Sequence, residues 1–338
     1  MRRGPSVRCL ALALAAGTCA GAPASAVISA PLPTSGVDAA LATVDLGRRT
    51  LLDGSAAIER RQGDDVYVMM EARLNLAAGN LRPGARPSDY PVAQYLALER
   101  GVATLDAALI ESLLERRPDQ MASVRGAGDV WMRARADGSL QPVGLYVPAS
   151  YDPRTPAPLV VFLHGRRAAE DEVVAAPPLQ RLAERSGAII LAPYARGDAG
   201  YDGRAAQDVY DALDAALRAF TIDQRRICLA GFSMGAFAVF HLAALQPWRW
   251  HALLVAAGAM TDEARGEIAP RLRHSPVYLV SGSGDAVVTP REVRATARFL
   301  RAAGVPVREF TVAGGRHALH ALEPALRRAW PAMLNEPA

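Results

Sequence analysis

The sequence contains no lysine; all 38 basic residues are arginines. That excludes Schiff-base chemistry and a lysine general base. Cysteine is nearly as scarce. Cys9 and Cys19 fall in the first 26 residues, which leaves Cys228 alone in an apolar run. One cysteine cannot form an internal disulfide, and a chain of 338 residues, 51% of them apolar, can bury a core without one. Cys228 reads as a small buried hydrophobe, not a reactive thiol. No clustered basic face points to nucleic acid. The histidines do not stand with carboxylates or cysteines at ligand spacing, so no metal is expected. No glycine-rich phosphate loop appears, and no cofactor is expected. The helical stretches lack the tetratricopeptide pattern.

What is present begins with "MRRGPSVRCLALALAAGTCAGAPASA". Arginines lead, an apolar run follows, and Ala24-Ser25-Ala26 offers a small-residue cleavage site. The pattern predicts a secretory signal peptide over residues 1–26 and a secreted or periplasmic mature chain. The run is well under the ~18 residues of a membrane span. Lipid attachment at Cys19 is the alternative, although Ala16-Gly17-Thr18 fits such a site poorly. Losing Arg2, Arg3 and Arg8 lowers the formal net charge from +4 to about +1. The basicity is therefore partly a targeting signal.

Residues 27–36 are rich in Pro, Ser and Gly and read as a linker. Residues 37–121 show apolar spacings of three and four, which predict helices ended by Gly54, by Gly79-Asn80 and by Pro118. The pattern changes at Asp129. Alternation on both sides of Asp137-Gly138 predicts a hairpin. "APLVVFLHG" is a continuous apolar run and reads as a strand buried on both faces. Strand and helix signals then alternate to residue 334. That predicts an α/β domain over 129–334, a mostly parallel sheet with helices on both faces, preceded by the helical region.

Within it, "RICLAGFSMGAFAVF" places Ser233 between a strand and a helix, with Gly231 and Gly235 two residues to either side. Such a turn exposes a serine at the helix N-terminus as a candidate nucleophile. The plainer alternative is a helix cap. A serine hydroxyl needs a base. His317, in "AGGRHALH", follows the last strand, and catalytic groups gather at the carboxyl ends of parallel strands. His320 is the alternative base. His241, His251 and His274 are expected to be structural or solvated. The base needs an acid. Asp285 ends "YLVSGSGD", where Gly282 and Gly284 permit a tight turn, and Asp262 is the alternative. Oxyanion donors are expected from the backbone N–H groups of Met234 and Arg166. His164 reads as an orienting residue for the Arg166 loop.

Residues 129–334 resemble the α/β-hydrolases. The resemblance is carried by "YVPASYDP", "PLVVFLHGR", "APYARGDAGYDGRAAQDVYDALDAAL", "IDQRRICLAGFSMGAFA", "SGSGDAVV" and "AGGRHAL". The branch is that of prolyl-oligopeptidase-like and dienelactone hydrolases and of secreted polyhydroxybutyrate depolymerases and feruloyl esterases. The family's nucleophile, acid and histidine fall on Ser233, Asp285 and His317, in that chain order. Ala236 replaces a glycine common after the elbow. Arg166-Arg167 stand where relatives often carry other residues, so the oxyanion loop is inferred.

The resemblance implies a serine hydrolase acting on a small ester or a short peptide. Carboxylic ester hydrolysis is favoured, because about 85 helical residues cannot build the β-propeller usual in prolyl-oligopeptidase-type peptidases. A peptidase is the alternative, and a catalytically silent interaction protein the second. Tyr194 and Arg316 are candidate substrate contacts. Arg166, Arg167 and Arg196 are further candidates to clamp an anion, against the plainer reading of a solvated arginine surface.

Overall fold

Alternation between Asp129 and Val147 produces two antiparallel strands, β1 (Gly126–Arg133) and β2 (Leu140–Val147), joined through Asp137-Gly138. In this computed structural model residues 34–62, 64–87, 89–115, 121–261 and 266–335 are described. The signal-peptide reading over 1–26, residues 27–33 of the linker, Pro118 and Asp262 lie outside them.

The remaining strands are β3 (Ala157–Leu163), β4 (Ile189–Pro193), β5 (Ile222–Phe232), β6 (Ala252–Ala256), β7 (Val277–Gly282) and β8 (Val307–Val312). They form one eight-stranded sheet in the order β1-β2-β4-β3-β5-β6-β7-β8. From β4 to β8 all neighbours are parallel, and β1 and β2 add an antiparallel edge. Every residue of β3, β4, β6 and β7 is buried, as sequences that are apolar but for Ser281 in β7 require.

The strand pleat sends alternate side chains to opposite faces. Leu159, Val161, Leu229, Val255 and Leu279 join one apolar cluster. It includes α6 (Arg204–Ala219), α7 (Met234–Leu245) and α8 (Pro290–Ala302). Val160, Phe162, Cys228, Leu254 and Val280 join a second cluster with α4 (Glu170–Ala175), α5 (Pro177–Ser186) and α9 (Glu323–Leu334). Cys228 is fully buried there, and burial pushes its thiol up to about 12.

The second cluster continues without a break into the N-terminal helices α1 (Thr34–Gln62), α2 (Asp64–Asn80) and α3 (Val92–Glu115). Leu98, Val102, Leu105, Leu109 and Leu113 form a stripe on α3 at spacings of three and four, and all are buried. Each such burial stabilises by about 1.5–3 kcal/mol. Two expectations need correction. Helix α1 starts at Thr34, inside the expected linker, and it runs through Gly54. A Cβ at Gly54 would lie 2.5 Å from Leu114 Cδ2, so this glycine serves close helix crossing and not a helix stop. Gly79-Asn80 does close α2.

Candidate active site

The eleven residues of β5 end in a turn whose central residue is Ser233, with φ +52° and ψ −118°. An L-residue rarely adopts that conformation and pays roughly 1–3 kcal/mol for it. It persists because the turn is enclosed. A Cβ on Gly231 would lie 2.5 Å from the Gly235 backbone, and one on Gly235 would collide with the Leu163 carbonyl. Among the described residues, the other non-glycine residues with positive φ are Arg167, Ala195, Arg196, Tyr201 and Ala257. They lie in the loops after β3, β4 and β6, at the same carboxyl edge of the sheet. Met234 opens α7, so its N–H has no intrahelical acceptor.

Two loops, one after β7 and one after β8, come together at Ser233. His317 Nε2 lies 2.8 Å from Ser233 Oγ, and His317 Nδ1 lies 2.8 Å from Asp285 Oδ2. Asp285 is buried, and its second oxygen, Oδ1, accepts from the N–H groups of Val287 (2.8 Å) and Val288 (2.9 Å). That leaves Oδ2 for the imidazole. The Asp285 and His317 loops are also tied to each other. Ser283 N–H donates to the Val312 carbonyl at 2.9 Å, Gly284 N–H to the Gly315 carbonyl at 3.0 Å, and Gly314 N–H to Ser283 Oγ at 2.8 Å. A Cβ on Gly282 would strike the Gly315 carbonyl. Gly282 therefore permits two backbones to touch, more than it permits a turn. The Phe232 ring lies 5.2 Å from the imidazole and walls its other side.

The alternative base sits elsewhere. His320 opens a short 3-10 turn and stacks on Tyr90 with ring centroids 3.8 Å apart, and burial lowers its pKa. His241 lies 3.8 Å from Asp202, and His274 is exposed.

The loop between β3 and α4 approaches the serine through Gly165. A Cβ there would lie 3.2 Å from Phe232 and 3.5 Å from Ser233 Cβ. His164 is buried beneath it, Nδ1 2.8 Å from the Gly165 carbonyl and Nε2 3.0 Å from the Tyr194 carbonyl. A neutral imidazole donates to only one of these at a time. Tyr201 Oη donates to the His164 carbonyl at 3.3 Å, and the Arg167 N–H to Asp198 at 2.8 Å. The Arg166 and Arg316 side chains are exposed beside the site. Arg196 is already spent. It pairs with Asp208 at 2.6 Å and Asp137 at 2.8 Å, joining α6 to the β1–β2 turn. The Tyr194 ring packs between the Arg73 guanidinium, 5.9 Å from its centroid, and the His164 ring.

Two features have no counterpart in the motifs. One is the Tyr90–His320 stack, which brings the loop after α2 to within three residues of His317. The other is Arg73, buried and ringed by Asp106, Asp129, Glu170 and Asp171. These residues come from four elements and share no spacing that a sequence pattern would register. Among the described residues, no His/Cys/Asp/Glu group could hold a metal ion, and no helix is long and apolar enough to cross a membrane.

No family model and no curated protein matches the chain. Solved structures do. A ferulic acid esterase matches with a TM-score of 0.53 at 16% identity, over 62% of this chain and 97% of that one. A fluorophosphonate-binding serine hydrolase of Staphylococcus aureus matches at 0.52 and 15%, over 62% and 100%. A protein assigned as a dipeptidyl aminopeptidase IV of Bacteroides ovatus matches at 0.52 and 14%, over 62% of this chain and only 36% of that one. At such identities the likeness establishes the fold. The chain has the α/β-hydrolase fold.

Proposed function

We propose that the chain is a serine hydrolase that cleaves carboxylic esters through an acyl-enzyme on Ser233. One observation carries the reading: a strained, half-buried serine at an elbow has an imidazole 2.8 Å from its oxygen, and that imidazole has a buried carboxylate 2.8 Å from its far nitrogen. In this reading His317 Nε2 takes the proton from Ser233 Oγ as the oxygen attacks the ester carbonyl. The Nδ1–H, held toward Asp285, fixes the tautomer, and the carboxylate stabilises the imidazolium. The tetrahedral oxyanion faces the N–H groups of Met234 and Arg166. Loss of one such donor typically costs about 10²–10³-fold in kcat. His317 returns the proton to the departing alcohol, and water repeats the sequence to release the acid.

Arg316, exposed beside His317, is the candidate contact for an anionic substituent. Tyr194 is assigned to holding the loop instead, because its ring is packed between Arg73 and His164. Secretion after cleavage at Ala26 belongs to the same proposal, and the N-terminus of the mature protein tests it. The test of the reaction is a panel of nitrophenyl esters and proline amides with stoichiometric fluorophosphonate labelling of Ser233. Ester turnover and labelling, both lost in Ser233→Ala, support the reading. Amide cleavage with negligible ester cleavage replaces it with a peptidase.

A further inference from the structure

The loop that presents the Arg166 N–H is short and lightly held from within. Its own turn is a single long bond, Ala168 N–H to the Gly165 carbonyl at 3.3 Å. Its first end leaves β3 and is held by His164, Tyr194 and Tyr201. Its second end enters α4, a helix of only six residues whose N-cap, Ala169, supplies no side-chain cap. So short a helix cannot fix a loop by its own hydrogen bonds.

Arg73 supplies what α4 lacks. It stands on α2, in the N-terminal layer, yet its guanidinium meets the first two residues of α4. Nη1 donates to Glu170 Oε1 at 2.5 Å, and Nη2 donates to Asp171 Oδ2 at 2.8 Å. Asp171 uses its other oxygen to accept from the Glu172 N–H at 2.6 Å, inside the first turn. The remaining donors tie the arginine to the body. Nε reaches Asp106 of α3 at 2.6 Å, and Nη2 also reaches Asp129 of β1 at 3.3 Å. The same guanidinium lies over the ring of Tyr194, whose carbonyl faces His164 at the loop's other end. One planar, multiply donating cation thus bears on both ends of the loop, a role that a lysine cannot fill.

We propose that Arg73 is a positioning residue for the loop of residues 164–169, so that the N-terminal helical layer sets the Arg166 N–H against Ser233. The catalytic consequence rests on the reading of Ser233 as the nucleophile; the mechanical part does not. A donor displaced by about 1 Å loses much of its effect on a transition state while leaving substrate binding largely intact.

The test takes the contact of Arg73 with Glu170 and Asp171 as a clasp and compares Arg73→Lys, Glu170→Gln and Asp171→Asn with Ile110→Ala, which loosens the same layer from a buried position on α3 outside it. Two measurements are made on the folded mature protein: kcat and KM for a nitrophenyl ester, and amide hydrogen exchange of residues 164–169. The clasp variants are expected to lower kcat about 10–100-fold with KM within about twofold, and to speed exchange in the loop. Ile110→Ala is expected to lower Tm and leave kcat and loop exchange unchanged. Clasp variants that lose stability but keep kcat and loop protection overturn the proposal. If the wild type hydrolyses nothing, exchange alone decides. Faster exchange confined to 164–169 upholds the positioning role while the hydrolase reading fails, and unchanged exchange sinks both.

Discussion

In the proposed mechanism Ser233 carries two burdens, a reactive oxygen and a backbone that a side chain disfavours. Glycine at this position relieves the second and removes the first. Ser233→Gly is therefore expected to abolish ester hydrolysis and to raise stability by about 1 kcal/mol or more, read as a higher Tm. Its partner Asp285 divides its oxygens between two backbone donors and the imidazole. An amide here would keep the fold and present the wrong group to Nδ1. Asp285→Asn should lower kcat by about 10⁴-fold in steady-state ester assays, with a near-native circular dichroism spectrum. Retained turnover would remove the carboxylate from the mechanism. His317 is separated from His320 by contacts, not by pattern. Labelling by fluorophosphonate should disappear in His317→Ala and survive in His320→Ala.

At the scale of elements, the site is a meeting of four strand ends. The turn after β5 brings Ser233, the loop after β7 Asp285, the loop after β8 His317, and the loop after β3 the expected donor. Parallel strands put all four at one edge, because every crossover returns the chain to the same starting side. Packing between loops then sets the distances. Gly282 lets the Asp285 loop lie directly on the Gly314-Gly315 backbone. Gly282→Ala should push that contact apart and shift His317. The expected result is a fall in kcat of at least about 10-fold with little change in KM, in a protein that still unfolds cooperatively.

For the whole molecule, burial of acids between the helical layer and the sheet has a pH signature. Glu99 is pushed up to about 7 and Glu172 to about 8, in both cases chiefly by burial. Such carboxyls bind protons more tightly folded than unfolded. Their effect is neutral below the usual value near 4.5 and becomes destabilising as pH rises toward the folded values. Burial also raises Asp106, Asp129 and Asp171 around Arg73, with the same sign. Stability is expected to decline from about pH 5 to about pH 8 in thermal melts. The pair Glu99→Gln and Glu172→Gln should flatten that decline and raise Tm at pH 8 by a few degrees, on the order of 2–4 °C per kcal/mol recovered.

The sequence by itself determined the elements that depend on neighbours along the chain. Alternation around Asp137-Gly138 gives the β1–β2 hairpin, unbroken apolar runs give the buried strands, and Gly-Phe-Ser-Met-Gly between a strand and a helix gives the elbow. It also put Asp285 and His317 after later strands, which in a parallel sheet means the same edge as Ser233. Local pattern misread Gly54 as a stop, because a glycine that ends a helix and one that lets Leu114 approach look alike. The tertiary structure decided what depends on distance in space. It separated His317 from His320, spent Arg196 on Asp137 and Asp208, and buried Arg73 among four carboxylates, one of them 97 residues away. A buried ion cluster is assembled from residues that each look like surface residues, and only the packing that excludes water reveals that they are partners.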